Sequence, residues 1–176
     1  RIKSKAIDDR IGCAVMIQLI QEGVPYDTWF AFVVGEEIGS RGAKAAAGRI
    51  HPRWGLVIEG TTAADIPGVA EHERSCFQGG GAVVSLADRG SVYNRDLVRR
   101  LTKRAGEEGI RWQYRASMNG STDASAIHLA GAGAQAFGLA APVRYIHSAS
   151  NVLYWPDAEE VLKMARLVIK EAECDD

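Results

Sequence analysis

Acidic side chains occur at three points of the sequence where apolar runs begin or end. They are Asp8-Asp9, Glu36-Glu37 and Glu59. The second pair follows the apolar run 29–34 and the last carboxylate follows the run 56–58, whose lengths and β-branched content predict buried strands. Because ligands of an open α/β sheet bind at the carboxyl ends of its strands, we expect these carboxylates to converge there. Burying several carboxylates together costs free energy unless a cation neutralises them, so the cluster predicts a metal site. His147 could add one imidazole ligand to it.

The adjacent glutamates Glu36 and Glu37 cannot both bind one ion from an extended chain, because neighbouring side chains point to opposite sides. Gly35 and Gly39 would allow a turn. One ligand and one proton-transfer group is the economical assignment. Two divalent cations about 3.5 to 4 Å apart polarise a carbonyl and activate a shared water, and a nearby glutamate can take its proton. Oxygen-rich ligands with an imidazole suit Zn²⁺, Co²⁺ or Mn²⁺.

Five short motifs, in this order along nearly the whole chain, resemble the M42 metallo-aminopeptidases, relatives of the glutamyl aminopeptidases and of the tetrahedral aminopeptidases. The motifs lie at 5–13, 35–42, 59–65, 121–124 with 126–129, and 144–148. Five motifs in register are far more specific than any one of them. The resemblance implies a zinc aminopeptidase-like catalytic domain that removes N-terminal residues from peptides.

The resemblance also implies a role for each acidic residue. Asp8 would bridge two divalent metal ions, Glu37 and His147 would complete one of the two sites, and Glu59, where many relatives have Asp, would bind the other ion. Glu36 would be the general base that acts on a metal-bound water.

Two further aspartates are assigned near the ligands. The resemblance implies that Asp9 shares a cis peptide bond with Asp8. Asp123 could lie beside the ligands or place a charge at a helix N-terminus, and the sequence does not separate these two alternatives. The family's other metal takes a His from an early strand, which would precede Arg1. The chain is therefore expected to be the carboxyl part of the catalytic domain, without the N-terminal part and the inserted dimerisation domain. The full-length protein is expected to be a homo-oligomer.

Length and composition are consistent with a single truncated catalytic domain over 1–176. The chain has 176 residues, of which 47% are hydrophobic, so it can bury one core. Its 21 basic and 22 acidic residues give a net charge of -1. The chain therefore lacks the excess of basic residues that is typical of proteins that bind nucleic acids. No apolar stretch has membrane-spanning length. Three scattered cysteines favour a reducing compartment and hence a cytoplasmic location, namely Cys13, Cys76 and Cys174.

Apolar periodicity predicts an α/β fold with a mixed, mostly parallel central sheet flanked by helices. Strands are expected at 29–34, 56–58, 82–86 and 135–139, the last followed by a loop that contains Pro142 and leads to His147. Helices are expected from Asp9 to about Gln21, after Ser40, near 96–108, from Ser121 or Thr122 to Leu129, and from Asp157 to the end. Asp9 can cap the first helix, and Asp157 with Glu160 resembles a capping box at the start of the last.

Each assignment has an alternative that involves no metal. Asp9 could be a helix cap only, Glu36-Glu37 an exposed strand end, and His147 an ordinary hydrogen-bonded residue. Two other functions stay open: a glycoside hydrolase, which needs two carboxyl groups about 5 to 9.5 Å apart, and a non-catalytic assembly subunit of the same fold. Glutamyl, leucyl and lysyl preferences also stay open.

Overall fold

The computed structural model describes residues 1–172, whose centre is a six-stranded mixed sheet. The strands are β1 (Ile2–Ser4), β2 (Trp54–Thr62), β3 (Ala82–Val84), β4 (Trp112–Tyr114), β5 (Gln135–Arg144) and β6 (Asn151–Leu153). Their order is β1-β6-β5-β3-β4, and β2 lies along β5. The longest ladder, β2 with β5, and the β3–β4 pair are parallel, while the other three pairs are antiparallel. The α/β class and the mixed sheet were predicted correctly.

Five α-helices flank this sheet and supply much of the core. They are α1 (Ile7–Glu22), α2 (Arg41–Ile50), α3 (Arg95–Glu107), α4 (Ala124–Ile127) and α5 (Trp155–Glu171). Helix α1 buries Ile11, Val15 and Leu19, which recur at the helical period. The side chains of Phe137 and Leu139 in β5 are almost wholly buried against the helices. No helix within 1–172 is long and apolar enough to cross a membrane.

The predicted strand 29–34 is wrong. The structure contains no strand between α1 and α2, and the side chains of Trp29 and Val34 are 74% and 79% exposed. A strand requires a ladder partner, and none of the strands in the described part of the chain pairs with this segment. An apolar sequence alone therefore did not determine burial here.

The loop predicted around Pro142 is also wrong, because β5 continues through it to Arg144. Pro142 pairs with Thr61 of β2 on one side. On the other side of β5, β3 pairs as far as Ala140 and β6 begins at Val143. Pro142 therefore lies between the two neighbouring ladders on that side, where no strand requires the backbone N–H that proline lacks.

The ends of several elements also differ from the prediction. Strand β3 ends at Val84, α4 ends at Ile127, and the short strands β1 and β6 were not predicted. Helix α5 begins at Trp155, and Asp157 does not cap it. The buried Asp157 carboxylate instead accepts hydrogen bonds from the backbone N–H groups of Gly79 and Gly81, at 2.8 and 2.9 Å.

Candidate metal centre

Two adjacent aspartates enter the site from the start of α1. The Asp8–Asp9 peptide bond is cis, as the resemblance implied, and both residues have non-helical backbone angles. Asp9 Oδ1 accepts the N–H of Gly12 at 2.9 Å, a hydrogen bond of the kind that a capping side chain makes, but α1 begins at Ile7, so Asp9 lies inside the helix and not at its end. Asp8 Oδ1 accepts the N–H of Gly60 at 3.1 Å, which links α1 to β2. A Cβ at position 60 would lie 2.8 Å from Asp8 Cβ, so this approach requires glycine.

The glutamate pair lies on a tight turn before α2, as its flanking glycines predicted. Gly35 and Gly39 have φ angles of 72° and 101°, which favour glycine. The N–H groups of Gly39 and Ser40 both donate to the Glu36 carbonyl oxygen at 2.9 Å. The turn lets Glu36 and Glu37 line the same cavity.

His147 lies in the loop between β5 and β6, which Asn151 holds in place. Tyr145 and His147 have positive φ angles of 59° and 58°. The buried Asn151 side chain donates to the Tyr145 carbonyl at 2.7 Å and accepts the N–H of Ile7 at 3.0 Å. It therefore ties the His147 loop to the start of α1. Sequence reasoning missed Asn151, because nothing in its surroundings shows a contact 144 residues away.

Two groups of side chains could each hold a metal ion, and Asp8 belongs to both. The first is Asp8, Glu37 and His147; the second is Asp8, Asp9 and Glu59. Within each group the ligand atoms lie within 4.8 Å of one another. His147 Nε2 is 3.1 Å from Glu37 Oε1 and 3.3 Å from Asp8 Oδ2. The carboxylate oxygens and the imidazole suit a divalent cation.

The pKa values of four carboxyl groups at the site, Asp8, Asp9, Glu36 and Glu59, are raised above their ordinary values. Burial, followed by the charges of Asp9 and Asp8, raises the pKa of Glu59 to about 9. Burial is also the main cause that raises the pKa of Asp9 to about 8 and that of Glu36 to about 7. The pKa of Asp8 is raised by burial, against the opposing hydrogen bond from Gly60. Clustered carboxyl groups of this kind are stabilised in their charged form by a bound cation.

Asp123 is buried behind these groups, before α4. Its side chain makes no capping hydrogen bond to α4, and its Oδ1 has no hydrogen-bond partner. Burial raises its pKa, while a hydrogen bond with Ser40 lowers it. Its charge in turn contributes to the raised pKa values of Glu36 and Glu59. Asp123 is therefore near the cluster but belongs to neither group of candidate ligands.

A cavity of about 330 Å³ connects most of these residues. Asp8, Glu36, Glu37, Glu59 and His147 line it. Polar residues of other segments complete the wall, including Ser75, Tyr93, Arg115, Ser117 and Thr122. The segments that carry Asp8, Glu36-Glu37, Glu59 and His147 thus meet at one cavity, whose volume is at the lower end of the range of small-molecule sites.

Known proteins resemble this chain along almost its whole length. The family model for M42 glutamyl aminopeptidase matches residues 1–164. A solved aminopeptidase from Desulfurococcus kamchatkensis is 33% identical, with a TM-score of 0.90 over 96% of this chain and 49% of its own. The TET1 peptidase of Pyrococcus horikoshii, which can assemble into a tetrahedron or a large octahedral shell, is 28% identical, with a TM-score of 0.78 over 95% of this chain and 49% of its own.

A curated relative also resembles this chain along almost its whole length. The glutamyl aminopeptidase of Lactococcus lactis is 27% identical over 173 residues, which are 96% of this chain and 47% of that protein. The chain spans about half the length of the curated relatives it matches. The family match and the solved structures show that the chain belongs to the M42 glutamyl aminopeptidase family.

Proposed function

We propose that this chain supplies metal ligands and the general base of a dinuclear metallo-aminopeptidase. The observation that carries the proposal is the position of Asp8, which belongs to both groups of candidate ligands. A carboxylate shared in this way would hold both ions of a dinuclear site. Zn²⁺ and Co²⁺ suit the donors best, and Mn²⁺ is also compatible. Membership of the M42 family supports an aminopeptidase that acts on peptides.

In this proposal Glu37 and His147 hold one ion with Asp8, while Glu59 holds the other. Divalent cations, when bound, polarise a carbonyl group and acidify water. The N–H of Gly60 holds the Asp8 carboxylate in place, and the N–H of Gly12 holds that of Asp9. Asp9 also offers one carboxylate oxygen to the group that contains Glu59.

Glu36 is assigned the proton transfer. It lines the cavity but belongs to neither candidate ligand group. Its pKa of about 7 is near the value that lets a carboxylate accept a proton and give it up again at neutral pH. Glu36 would take a proton from the attacking water and pass it to the departing amine.

The alternative glycoside hydrolase fits the geometry less well. Cleavage of a sugar needs one pair of carboxyl groups about 5 to 9.5 Å apart, which leaves a closely spaced group of three carboxyl groups, Asp8, Asp9 and Glu59, without a task. Sugar hydrolysis also gives no task to His147. A non-catalytic assembly subunit would need no group with the raised pKa of Glu36 in the cavity.

The matched variants Glu36→Gln and Glu37→Gln test the proposal in the full-length protein that carries this segment. Glu36→Gln is expected to lower kcat by roughly 10²- to 10⁴-fold with metal content nearly unchanged, because a general base is not a ligand. Glu37→Gln is expected to lower metal content. Elemental analysis and turnover of aminoacyl p-nitroanilides measure both effects. Loss of metal in Glu36→Gln instead would show that the two roles are reversed.

We further propose that the full-length protein forms homo-oligomers. The TET1 peptidase that shares this fold assembles into closed shells. Light scattering of the full-length protein gives its mass directly, and a monomer at micromolar concentration would contradict the proposal.

A further inference from the structure

Asn151 joins the His147 loop to the start of α1 through a single buried amide group. Only 1% of this residue is exposed. Its Nδ2 donates to the carbonyl oxygens of Tyr145 and Ser148, at 2.7 and 3.4 Å. Its Oδ1 accepts the N–H of Ile7 at 3.0 Å, across 144 positions of sequence. The amide therefore lies between two segments that each carry a candidate metal ligand.

The segment on one side is the loop that contains His147. Tyr145 and His147 have φ angles of 59° and 58°, which residues other than glycine seldom adopt unless their surroundings hold them there. The Tyr145 carbonyl accepts one hydrogen bond from the Ser148 hydroxyl at 2.6 Å and one from Asn151. The first bond lies within the loop, whereas the second connects the loop to β6 and, through the same amide, to α1.

The segment on the other side is the first residue of α1. A helix leaves its first N–H groups without partners, and the N-cap residue Ala6 makes no side-chain hydrogen bond to them. Asn151 supplies an acceptor for the N–H of Ile7 instead. The next residue is Asp8, whose Oδ2 lies 3.3 Å from His147 Nε2. One side chain thus holds the backbone beside two of the three candidate ligands of the first group.

The contact requires a side chain that donates and accepts at once. The N–H of Ile7 can only donate and the carbonyl oxygen of Tyr145 can only accept, so the group between them must offer both an oxygen and an N–H. An amide does so, whereas a leucine of similar shape offers neither.

The second group of candidate ligands is held by other contacts. The carboxylates of Asp8 and Asp9 accept backbone N–H groups outside the His147 loop, and Glu59 lies in the ladder of β2 with β5. Loss of the Asn151 amide would therefore disturb the first group more than the second.

We propose that Asn151 is a positioning residue of the metal centre, which fixes the His147 loop against the start of α1 and so sets the affinity of the first group for a divalent cation. The inference rests on the proposed dinuclear metal centre. Residues that orient metal ligands through hydrogen bonds typically contribute about 10- to 100-fold to metal affinity.

Zn²⁺ titration of the 176-residue chain and its variants tests this inference. Isothermal titration gives the affinities, and the NMR signals of the His147 ring identify the site that fills. Asn151→Ala and Asn151→Leu should each weaken the site that contains His147 by about tenfold or more and leave the other site nearly unchanged. Because leucine fills the space of the amide, an equal loss in both variants identifies the hydrogen bonds as the cause.

A measurement without metal tests the contact itself. The amide of Ile7 should be protected from hydrogen exchange in the original chain, because its N–H is bonded to a buried oxygen. In both Asn151 variants this protection should be lost. Thermal melts show that each variant is folded at the temperature of the titration.

Two control variants separate positioning from general stability. Asn94→Ala removes the side chain that caps α3 and accepts the N–H groups of Asp96 and Leu97, so it should lower stability without changing either Zn²⁺ affinity. Ser148→Ala removes only the hydroxyl contacts within the loop and should weaken the His147 site less than Asn151→Ala does.

Three results would overturn the inference: unchanged affinity of the His147 site in the Asn151 variants, equal weakening of both sites, or an unprotected Ile7 amide in the original chain. The same titration separates this inference from the proposed function. If the original chain binds Zn²⁺ and the Asn151 variants bind it equally well, only the Asn151 inference fails. If the original chain binds no divalent cation, the metallo-peptidase proposal fails as well.

Discussion

At the scale of single residues, the burial of Glu59 would favour a cation at the proposed metal centre. It lies in β2 among the negative charges of Asp8, Asp9, Glu36 and Asp123. Its raised pKa means that folding without a cation favours the protonated form. A bound cation would reverse that preference and hold the group ionised.

This leads to a prediction for the pH dependence of stability. Between about pH 4.5, the ordinary pKa of Glu59, and its folded value of about 9, the folded chain binds more protons than the unfolded chain. Stability of the metal-free chain should therefore fall as pH rises through this window. We expect Tm to drop by about 5 °C or more between pH 5 and pH 9. Thermal melts with EDTA measure this drop.

The control for this prediction is Glu59→Gln, which keeps the shape and removes the titration. Its Tm should change less with pH, and added Zn²⁺ should stabilise the original chain more at pH 8 than at pH 5. A metal-free chain that becomes more stable from pH 5 to pH 9 would contradict the raised pKa.

Some residues of the candidate site could be predicted from the sequence, and others could not. The carboxylates and His147 could be predicted because charged groups beside apolar runs are unusual and their motifs are specific. Asn151 could not, because its importance comes from a contact between distant segments. Asn151 connects the His147 loop to the start of α1.

At the scale of elements, helices were predicted better than strands. The apolar faces of α1, α3 and α5 repeat at the helical period, so their existence follows from local sequence. The three-residue strands β1 and β6 are too short to show a period, and their pairing is set by β5 and by each other. The segment 29–34 has the composition of a strand but no partner within the described residues. Strand pairing is a long-range property, and local pattern cannot supply it.

The exposed segment 29–34 gives a prediction for this chain. Trp29→Ser should change the free energy of unfolding by no more than about 0.5 kcal/mol, because the side chain is 74% exposed. Phe137→Ala in β5 is the buried comparison and should cost about 3 to 5 kcal/mol. Urea denaturation of both variants measures the difference. A cost above about 2 kcal/mol for Trp29→Ser would mean that the segment packs as the sequence first predicted.

At the scale of the whole molecule, the two groups of ligands are chemically unequal. The first combines two carboxylates with the His147 imidazole, while the second has carboxylates only. In the second group, Asp9 Oδ1 already accepts the N–H of Gly12, and Asp8 is shared with the first. Borderline ions such as Zn²⁺ bind imidazole better than they bind carboxylate alone.

We therefore expect the isolated chain to bind one Zn²⁺ ion at least about tenfold more tightly than a second, and to show little or no peptidase activity. Isothermal titration gives both affinities. His147→Ala should weaken the tighter site, because it removes the only imidazole of the two groups, whereas His51→Ala, an exposed histidine outside them, should not. Glu59→Gln should weaken only the second site. Two equally tight sites in the original chain, or a tight site that survives His147→Ala, would show that the ions divide the ligands differently from the assignment proposed.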